Sequence, residues 1–305
     1  MFMRAIVSVA MAALASVAAW IPAEARTAAP DACTSIMVGR KASADGSVMT
    51  SHTCDSWYRT WIQQVPAADY PRDTVMSVYR GRMHTEYPAS MDGVTKAGEI
   101  PQARHTFGFL DTAYPCLNER QLAMGETTYG GRDTLRNDKG MFMIEELQRV
   151  ALQRCTTARE AIKLMGRLIK EYGYGDSGEC LTIADPKEVW IFEVQGQGPD
   201  SIGGVWAAQR IPDDHIAVSA NISRIGRINT ADTTNYLASA NVKKIALDLG
   251  LWAGQEEFSF WKAYSGGNYF NQPKNYSVRE LYIMQQLGPE AGFTDSITEL
   301  PVSVR

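Results

Sequence analysis

The cysteine at position 33 is the residue of this sequence with the clearest chemical potential. It follows a leader-like segment and precedes a β-prone run, in the stretch APDACTSIMVGRKASADGSVMTSHTCDSW. If the Ala32–Cys33 bond is cut, one residue carries both a thiol and a primary amine. The amine, with an unperturbed pKa of about 7.7–8.0, can act as general base for the thiol, whose pKa is about 8.5. Such a site needs no catalytic histidine, and its thiol can itself attack the carbonyl of Ala32.

Two other roles for Cys33 compete with this one. Bacterial lipidation needs an apolar residue three positions before the cysteine and small residues between them, but the sequence has Pro30 and Asp31 there. A disulfide is the stronger alternative, because most cysteines of exported proteins are paired. The chain has five cysteines, so at least one of them has no partner within the chain. Two bridges are available to the other four, Cys54, Cys116, Cys155 and Cys180.

The N-terminus is typical of a secretory signal peptide. Arg4 supplies a positive charge, Ala5 to Trp20 is apolar, and Ala23-Glu24-Ala25 has the small-x-small form of a cleavage site. The apolar run is short for a membrane span, which needs about 20 residues. We therefore expect a signal peptide over 1–25, a short propeptide over 26–32, and a secreted or periplasmic protein.

Composition excludes several classes of partner and cofactor. The net charge is −4 and no basic run occurs, which argues against nucleic-acid binding. No later segment approaches membrane-spanning length, so we expect no membrane partner after the signal is removed. No two cysteines have C-x-x-C spacing and the four histidines do not cluster, so the sequence predicts no metal site. The proposed chemistry requires no cofactor.

The elements that must position Cys33 begin with a hairpin. Ser35 to Val38 and Ser47 to His52 are β-prone runs that flank the turn signal Ala44-Asp45-Gly46. Further strands are predicted at 61–65, 75–80, 106–110, 121–128, 180–184, 189–194, 206–209 and 216–220. Helices are predicted at 143–154, after the capping box Thr157 to Glu160, at 233–249 and at 278–287. The order favours an α+β fold with two antiparallel sheets stacked between helical layers, in a single domain.

Several motifs together resemble a known family. The opening stretch has a cysteine followed by Thr34, a β-run, Lys41-Ala42-Ser43 and Asp45-Gly46-Ser47. Later stretches in the same order are CLNERQLAMGETTYGG (116–131), DDHIAVSANISRIG (213–226) and YSVREL (276–281). Nearly all of 33–287 is similar to the dipeptidases of the N-terminal-nucleophile (Ntn) hydrolase superfamily, whose related members include penicillin V acylase and bile salt hydrolase. The resemblance implies the four-layer αββα Ntn sandwich over 33–305.

The resemblance also implies roles for particular residues. Cys33 would be the nucleophile and, through its amine, the base. Asp55 falls where relatives orient that amine, and Asn221 where they use an asparagine side chain in the oxyanion hole. Thr127 lies near the second oxyanion position, with Glu126 as the neighbouring alternative. A fifth residue, Arg279, matches an arginine that relatives place near the nucleophile.

One position departs from the family pattern. Relatives commonly have an arginine three residues before the aspartate, and this sequence has His52 there. Histidine titrates near pH 6.5, whereas arginine stays charged. His52 either lines the site and makes activity pH-dependent, or packs within its strand.

The leading functional hypothesis is an exported cysteine peptidase that hydrolyses dipeptides after autocatalytic processing at Ala32–Cys33. One alternative is an Ntn amidase or acylase that acts on N-acyl amides. Another is a non-enzymatic exported binding protein with Cys33 in a disulfide. The sequence leaves open the side-chain preference, the oligomeric state, including a homo-oligomer, and whether the domain continues beyond the terminal ELPVSVR.

Overall fold

The structure is a computed structural model that describes residues 32–55, 57–266 and 274–305. The predicted signal peptide, 1–25, and all but the last residue of the predicted propeptide, 26–32, lie outside the described residues. In the described part of the chain, no helix is both long enough and apolar enough to cross a membrane.

The predicted hairpin is present. Strand β1 (Thr34–Val38) pairs antiparallel with β2 (Met49–Thr53), in the register that sets Thr34 opposite Thr53. The connection contains Gly46 at a φ of 81°, which glycine adopts without steric cost. Burial alternates along β1, so one of its faces lies against the core.

All paired strands of the four sheets are antiparallel. The remaining strands are β3 (Gln63–Val65), β4 (Ala68–Asp69), β5 (Val75–Arg80), β6 (Thr95–Pro101), β7 (His105–Thr106), β8 (Phe109–Asp111), β9 (Leu117–Asn118), β10 (Ala123–Gly130), β11 (Gly178–Ala184), β12 (Val189–Gln195), β13 (Val205–Ile211), β14 (Ile216–Ser219), β15 (Tyr236–Ala238) and β16 (Ser303–Val304). Eight strands form the larger sheet, in the order β15-β13-β12-β11-β10-β9-β8-β3. The smaller sheet has the order β16-β14-β1-β2, and β4-β7 and β5-β6 form two further pairs.

The helices are α1 (Ile144–Arg154), α2 (Ala158–Tyr172), α3 (Val242–Asp248), α4 (Phe260–Tyr264) and α5 (Val278–Leu287). The capping box predicted at Thr157 is confirmed, because its side chain accepts from the amide of Glu160 while the Glu160 carboxylate accepts from the amide of Thr157. Helix α5 begins with a second capping box, at Ser277.

The helix predicted over 233–249 is wrong in its first half. Residues Tyr236–Ala238 form β15, which pairs with the edge of β13. Asp232 accepts hydrogen bonds from the amides of Thr234 and Asn235, which fixes a turn before the strand. Sheet pairing and this local turn override the helical pattern, so α3 begins only at Val242.

Three hydrophobic clusters follow the layers of the fold. One lies between the larger sheet and α1 and α2, and includes Leu147, Ile162 and Phe192. A second contains side chains from both sheets, such as Met37 of β1 and Ile191 of β12. The third joins β14 and β16 to α5 through residues such as Val218, Leu281, Met284 and Val304. The fold is therefore α+β, with antiparallel sheets and few helices, as the sequence predicts.

Candidate active site

Cys33 immediately precedes β1 and lies between two neighbouring chain segments. The registers of β1 with β2 and with β14 pair Thr34 with Thr53 and Ser35 with Ser219. Cys33 therefore comes just before the paired Thr34, Cys54 comes just after the paired Thr53, and Asn221 follows the last residue of β14 by two positions. Cys33 is 1% exposed, and its nitrogen is joined to Ala32.

The Arg279 guanidinium binds the segments on both sides of this position. One nitrogen, Nη1, donates to the carbonyl oxygen of Cys33 at 2.7 Å and to Oγ1 of Thr34 at 2.9 Å. The other, Nη2, donates to the carbonyl oxygen of Ala220 at 3.1 Å and to Oδ1 of Asn221 at 2.9 Å. A planar guanidinium can serve several fixed acceptors at once, so Arg279 holds the start of β1 against the end of β14.

Helix α5 places Arg279 there because its own first turn is fastened to the same segment. Arg279 follows the Ser277 cap by two residues, and its amide donates to the Ser277 hydroxyl. The fully buried carboxylate of Glu280 accepts from the amides of Ser277 and Ala220. Glu280 therefore connects the beginning of α5 directly to the segment that carries Asn221. The sequence analysis did not identify Glu280, although the Ser-x-x-Glu spacing of a capping box marks it.

Asn221 is buried, and its backbone and side chain are both constrained. Its φ of 62° lies in the left-handed region, which costs a non-glycine residue roughly 1 kcal/mol or more. Arginine has only donors, so Oδ1 must face Arg279, and Nδ2 then donates to the carbonyl oxygen of Thr128 at 2.7 Å. An amide nitrogen has two hydrogens, so the second N–H of Nδ2 is available to an oxygen atom of a bound molecule.

Thr127 and Glu126 are neighbours on β10 with different surroundings. Oγ1 of Thr127 lies 2.7 Å from the Ser219 hydroxyl, inside the space between the two sheets. The Ser219 hydroxyl in turn donates to the Cys180 sulfur at 3.2 Å. Thr127 therefore joins β10 of the larger sheet to β14 of the smaller one, close to Asn221.

Glu126 instead reaches the cysteine pair. The Cys33 sulfur, the Cys54 sulfur and a carboxylate oxygen of Glu126 all lie within 4.8 Å of one another. A hydrogen bond with Cys33 and burial both raise the pKa of the Cys54 thiol above its usual range. Burial also raises the pKa of Glu126 to about 7. This side of Cys33 thus concentrates three ionisable groups in a small, buried volume.

Asp55 and His52 lie near this cluster along the chain. Asp55 is exposed and, within the described residues, its carboxylate forms no hydrogen bond or ion pair. His52 is half-buried beside Gly125, where an added Cβ would approach its side chain to 2.9 Å. Burial lowers the pKa of His52, so the ring is neutral near neutral pH. The structure thus packs His52 between β2 and β10, over a glycine that makes room for it.

All five cysteines are present as thiols. The structure brings Cys33, Asn221 and Arg279 together and sets Thr127 behind them. It also adds Cys54, which the sequence analysis treated only as a candidate disulfide partner, and gives Glu126 a place beside the thiol. The arrangement places a thiol and a carboxylate within 4.8 Å of each other and holds an oriented side-chain amide on a neighbouring segment, and these are groups that can take part in attack on an amide carbonyl.

Comparison with known proteins places the chain in a family. The family model of peptidase family C69 matches residues 32–305. A probable dipeptidase of Latilactobacillus sakei is 29% identical over 281 residues, which cover 88% of this chain and 56% of that protein. A probable dipeptidase of Salmonella dublin is 29% identical over 273 residues, which cover 85% of this chain and 58% of that protein. Dipeptidase A of Lactobacillus helveticus is 24% identical over 291 residues, which cover 90% of this chain and 57% of that protein. The chain spans about half the length of the curated relatives it matches. This chain belongs to peptidase family C69.

Proposed function

We propose that this member of peptidase family C69 is an exported dipeptidase that uses Cys33 as an N-terminal nucleophile. The observation that carries the proposal is the attachment of Arg279 to both Cys33 and Asn221, which fixes an amide donor beside the residue that bears the thiol. The names of the relatives, dipeptidase and probable dipeptidase, support the same reaction class. The finer fold assignment, the four-layer Ntn sandwich, forms part of the proposal.

Processing comes first in this mechanism. The Cys33 sulfur bonds to the carbonyl carbon of Ala32, and the tetrahedral intermediate collapses with cleavage of the bond to the Cys33 nitrogen. The nitrogen takes up the proton that the thiol has lost, and this N-to-S shift leaves Ala32 on the sulfur as a thioester. Water then hydrolyses the resulting thioester, which releases the preceding segment and leaves a free α-amine on Cys33. Because Cys33 is buried in the unprocessed chain, we further propose that this cleavage also opens the thiol to substrate.

Turnover then follows the chemistry of an N-terminal cysteine. The α-amine takes the thiol proton, directly or through a water molecule, and the sulfur bonds to the carbonyl carbon of the dipeptide. The tetrahedral intermediate collapses, its C–N bond breaks, and the ammonium of Cys33 gives the proton to the leaving amine. A water molecule deprotonated by the same amine hydrolyses the thioester. Asp55 orients the amine in this proposal.

Asn221 is the proposed oxyanion donor. Its Nδ2 is oriented by Arg279 at one end of the side chain and by Thr128 at the other, so no reorganisation is needed as negative charge develops. Preorganised donors of this kind are typically worth a factor of about 10²–10³ in turnover. Thr127 supports this position by joining β10 to β14.

The position of Glu126 supports free dipeptides, rather than N-acyl amides, as the substrate class. In a dipeptide the free amine is about 2.5 Å from the scissile carbonyl carbon, as standard backbone geometry requires. A carboxylate oxygen within 4.8 Å of the attacking sulfur is therefore well placed to bind that ammonium group. An N-acyl substrate has no positive charge there and would leave the buried carboxylate of Glu126 without a cationic partner, with the Thr128 hydroxyl still donating to it.

Intact mass and N-terminal sequencing of the mature protein test the nucleophile. We expect the mature chain to begin at Cys33, and Cys33→Ala to remain uncleaved between residues 32 and 33 and to lose dipeptide turnover by about 10⁴-fold or more. Cys116→Ala is the matched control, since it removes a thiol outside the cluster. Full activity in Cys33→Ala would refute the proposal.

A substrate panel separates dipeptidase from acylase. Mature protein is assayed with free dipeptides and with the same dipeptides acetylated at the amine. We expect hydrolysis of the free forms and weak or no hydrolysis of the acetylated ones. Turnover of acetylated substrates alone would replace the dipeptidase assignment with the acylase one.

A further inference from the structure

We propose that the mature active site binds one thiophilic divalent cation, of the Zn²⁺ class, through Cys33, Cys54 and Glu126, and that this cation reversibly inhibits the enzyme. The ligands would be the sulfur and α-amine of Cys33, the sulfur of Cys54 and a carboxylate oxygen of Glu126. The amine ligand rests on the proposed processing at Cys33; the two sulfurs and the carboxylate do not depend on it.

Strand pairing, and not a short sequence motif, brings the ligands of the proposed cation site together. Cys33 and Cys54 are 21 positions apart, but Cys33 precedes Thr34 and Cys54 follows Thr53, which form the last pair of the β1–β2 register, so the two cysteines come next at this end of the strand pair. Opposite residues of an antiparallel pair have Cβ atoms about 4.5–5.5 Å apart, so the sulfurs of residues next to such a pair can converge on one point. With Zn–S bonds of about 2.3 Å, two sulfurs of a tetrahedral site are about 3.8 Å apart. The observed limit of 4.8 Å among all three ligand atoms is compatible with that separation after small side-chain rotations.

The chemistry of the ligand set selects the cation. Thiolates prefer Zn²⁺ and similar soft or borderline ions to Mg²⁺ or Ca²⁺. An N-terminal cysteine offers sulfur and nitrogen from a single residue, which close a five-membered chelate ring with the metal. Glu126 adds a buried carboxylate oxygen close to both sulfurs, although this carboxyl also accepts from Thr128 and lies against Glu179 and Tyr114.

The charges and protons of binding also balance. Zn²⁺ would displace one proton from each of the two thiols into solvent, and also the proton of the α-amine and of Glu126 in the molecules in which these groups are protonated, since coordination requires the deprotonated forms. Two thiolates and the Glu126 carboxylate carry three negative charges against two on the cation, and the Arg279 guanidinium beside the Cys33 carbonyl supplies one more positive charge. These charges sum to zero provided that the neighbouring Glu179, whose pKa burial raises well above its usual range, is protonated, and a neutral site favours a buried location.

Inhibition follows because the cation would occupy the groups that turnover uses. The sulfur would no longer be free to attack, the amine would no longer accept its proton, and Glu126 would no longer bind the substrate ammonium group. A dipeptide and the cation would then exclude each other, and inhibition is expected to be competitive.

The test uses mature, fully reduced protein, freed of metal by dialysis against a chelator, and Co²⁺ as a spectroscopic probe. We expect one Co²⁺ per chain, with the near-ultraviolet absorption of sulfur-to-cobalt charge transfer, and displacement of Co²⁺ by Zn²⁺. Cys54→Ser and Cys54→Ala should each weaken Co²⁺ affinity by about 100-fold or more, since they remove a direct ligand. Cys116→Ser, which changes a thiol outside the cluster, should bind as the unmodified protein does.

The kinetic half of the test measures inhibition by Zn²⁺ for each protein relative to its own metal-free rate. We expect competitive inhibition that a chelator reverses, with an inhibition constant for Zn²⁺ that is about 100-fold or more higher in Cys54→Ser. Absence of thiolate–cobalt absorption, or equal Zn²⁺ sensitivity in Cys54→Ser and Cys116→Ser, would overturn the proposal while dipeptide turnover stands. Cobalt binding dependent on Cys33 and Cys54, in a protein that hydrolyses no dipeptide, would instead sustain the metal site and reject the proposed peptidase function.

Discussion

The two sides of Cys33 are built in opposite ways. On the side of Arg279 and Asn221, four hydrogen bonds from one guanidinium satisfy acceptors on two chain segments. On the side of Cys54 and Glu126, the buried thiol of Cys33, the half-buried thiol of Cys54 and a buried carboxylate lie close together, and burial raises the pKa of Glu126 to about 7. We refer to these as the clamped side and the ionisable side.

This difference suggests separate tasks for the two sides: the clamped side positions the catalytic groups, and the ionisable side binds the ligand. Satisfied hydrogen bonds on the clamped side hold the main chain and the Asn221 amide in one geometry, so little is left there for a ligand except one amide N–H. The ionisable side contains groups whose burial is unfavourable without a partner, and a cationic ligand would relieve that cost. Changes on the clamped side should therefore affect turnover most, whereas changes on the ionisable side should affect affinity and selectivity.

Substitution of Arg279 should cause the largest loss of activity. We expect Arg279→Lys and Arg279→Ala to lower kcat/KM by about 10³-fold each, because a single ammonium cannot reach acceptors on both segments and the Asn221 amide loses its orientation. The steady-state rates of mature variants measure this. Val278→Ala, at a position 80% exposed on the same helical turn, is the control and should retain activity. Full activity in Arg279→Lys would show that Arg279 contributes only its charge.

Substitution of Asn221 should have the second-largest effect on turnover. Two substitutions distinguish the contribution of its side-chain amide from that of its left-handed backbone conformation. Both Asn221→Ala and Asn221→Gly should lower kcat by about 10²-fold, because neither supplies the amide donor. Glycine adopts a φ of 62° freely, so Asn221→Gly should be more stable than Asn221→Ala by about 1 kcal/mol. Chemical denaturation measures the stability difference. Unchanged turnover in Asn221→Gly would remove Asn221 from the oxyanion site.

A substitution of Glu126 tests the proposed role of the ionisable side in substrate binding. We expect Glu126→Gln to raise KM for free dipeptides by about 10–100-fold, the usual worth of a charge-assisted hydrogen bond, with a smaller change in kcat. Any residual turnover of N-acetylated substrates should not fall. A loss of kcat without a change in KM would assign Glu126 to the chemical step rather than to recognition of the ammonium group.

Substitution of Glu193 should change the pH dependence of the unfolding free energy, and among these substitutions it should have the smallest effect on turnover. This buried carboxylate accepts from the Ser223 hydroxyl and from the amides of Arg224 and Ile225, and so anchors the chain just after Asn221. Burial raises the pKa of Glu193 from 4.5 to about 7. The folded state therefore binds its proton more tightly than the unfolded state. The resulting stabilisation is complete below about pH 4.5 and is lost as the pH rises through about 7.

Glutamine resembles the protonated form of Glu193 and does not titrate. Relative to Glu193→Gln, the unmodified protein should lose about 1–3 kcal/mol of unfolding free energy between pH 5 and pH 8. Urea denaturation of both proteins at several pH values measures this. Glu290 is an exposed carboxylate in the turn Pro289–Ala291, and the control substitution Glu290→Gln should leave the pH profile unaltered. Parallel profiles for Glu193→Gln and the unmodified protein would contradict the burial effect.

The sequence predicts the local parts of the site well. The β1–β2 hairpin, the strand at 75–80, the cap at Thr157 and the helix at 278–287 all appear with close to the predicted bounds. Each depends on signals only a few residues apart, such as a turn glycine or a Ser-x-x-Glu spacing. Where a longer-range interaction competes, as at Tyr236–Ala238, the pattern fails because pairing with β13 is not encoded within the segment.

The sequence by itself determined that Cys33 lies before a strand at the end of a leader-like segment, and that an amine and a thiol would share that residue after cleavage. Only the tertiary structure decided what surrounds it. Arg279 is 246 positions from Cys33, and Cys54 and Glu126 reach it through strand register and sheet packing. Local propensity acts over one turn of chain, whereas these distances depend on how whole elements pack, and that packing is a property of the complete core.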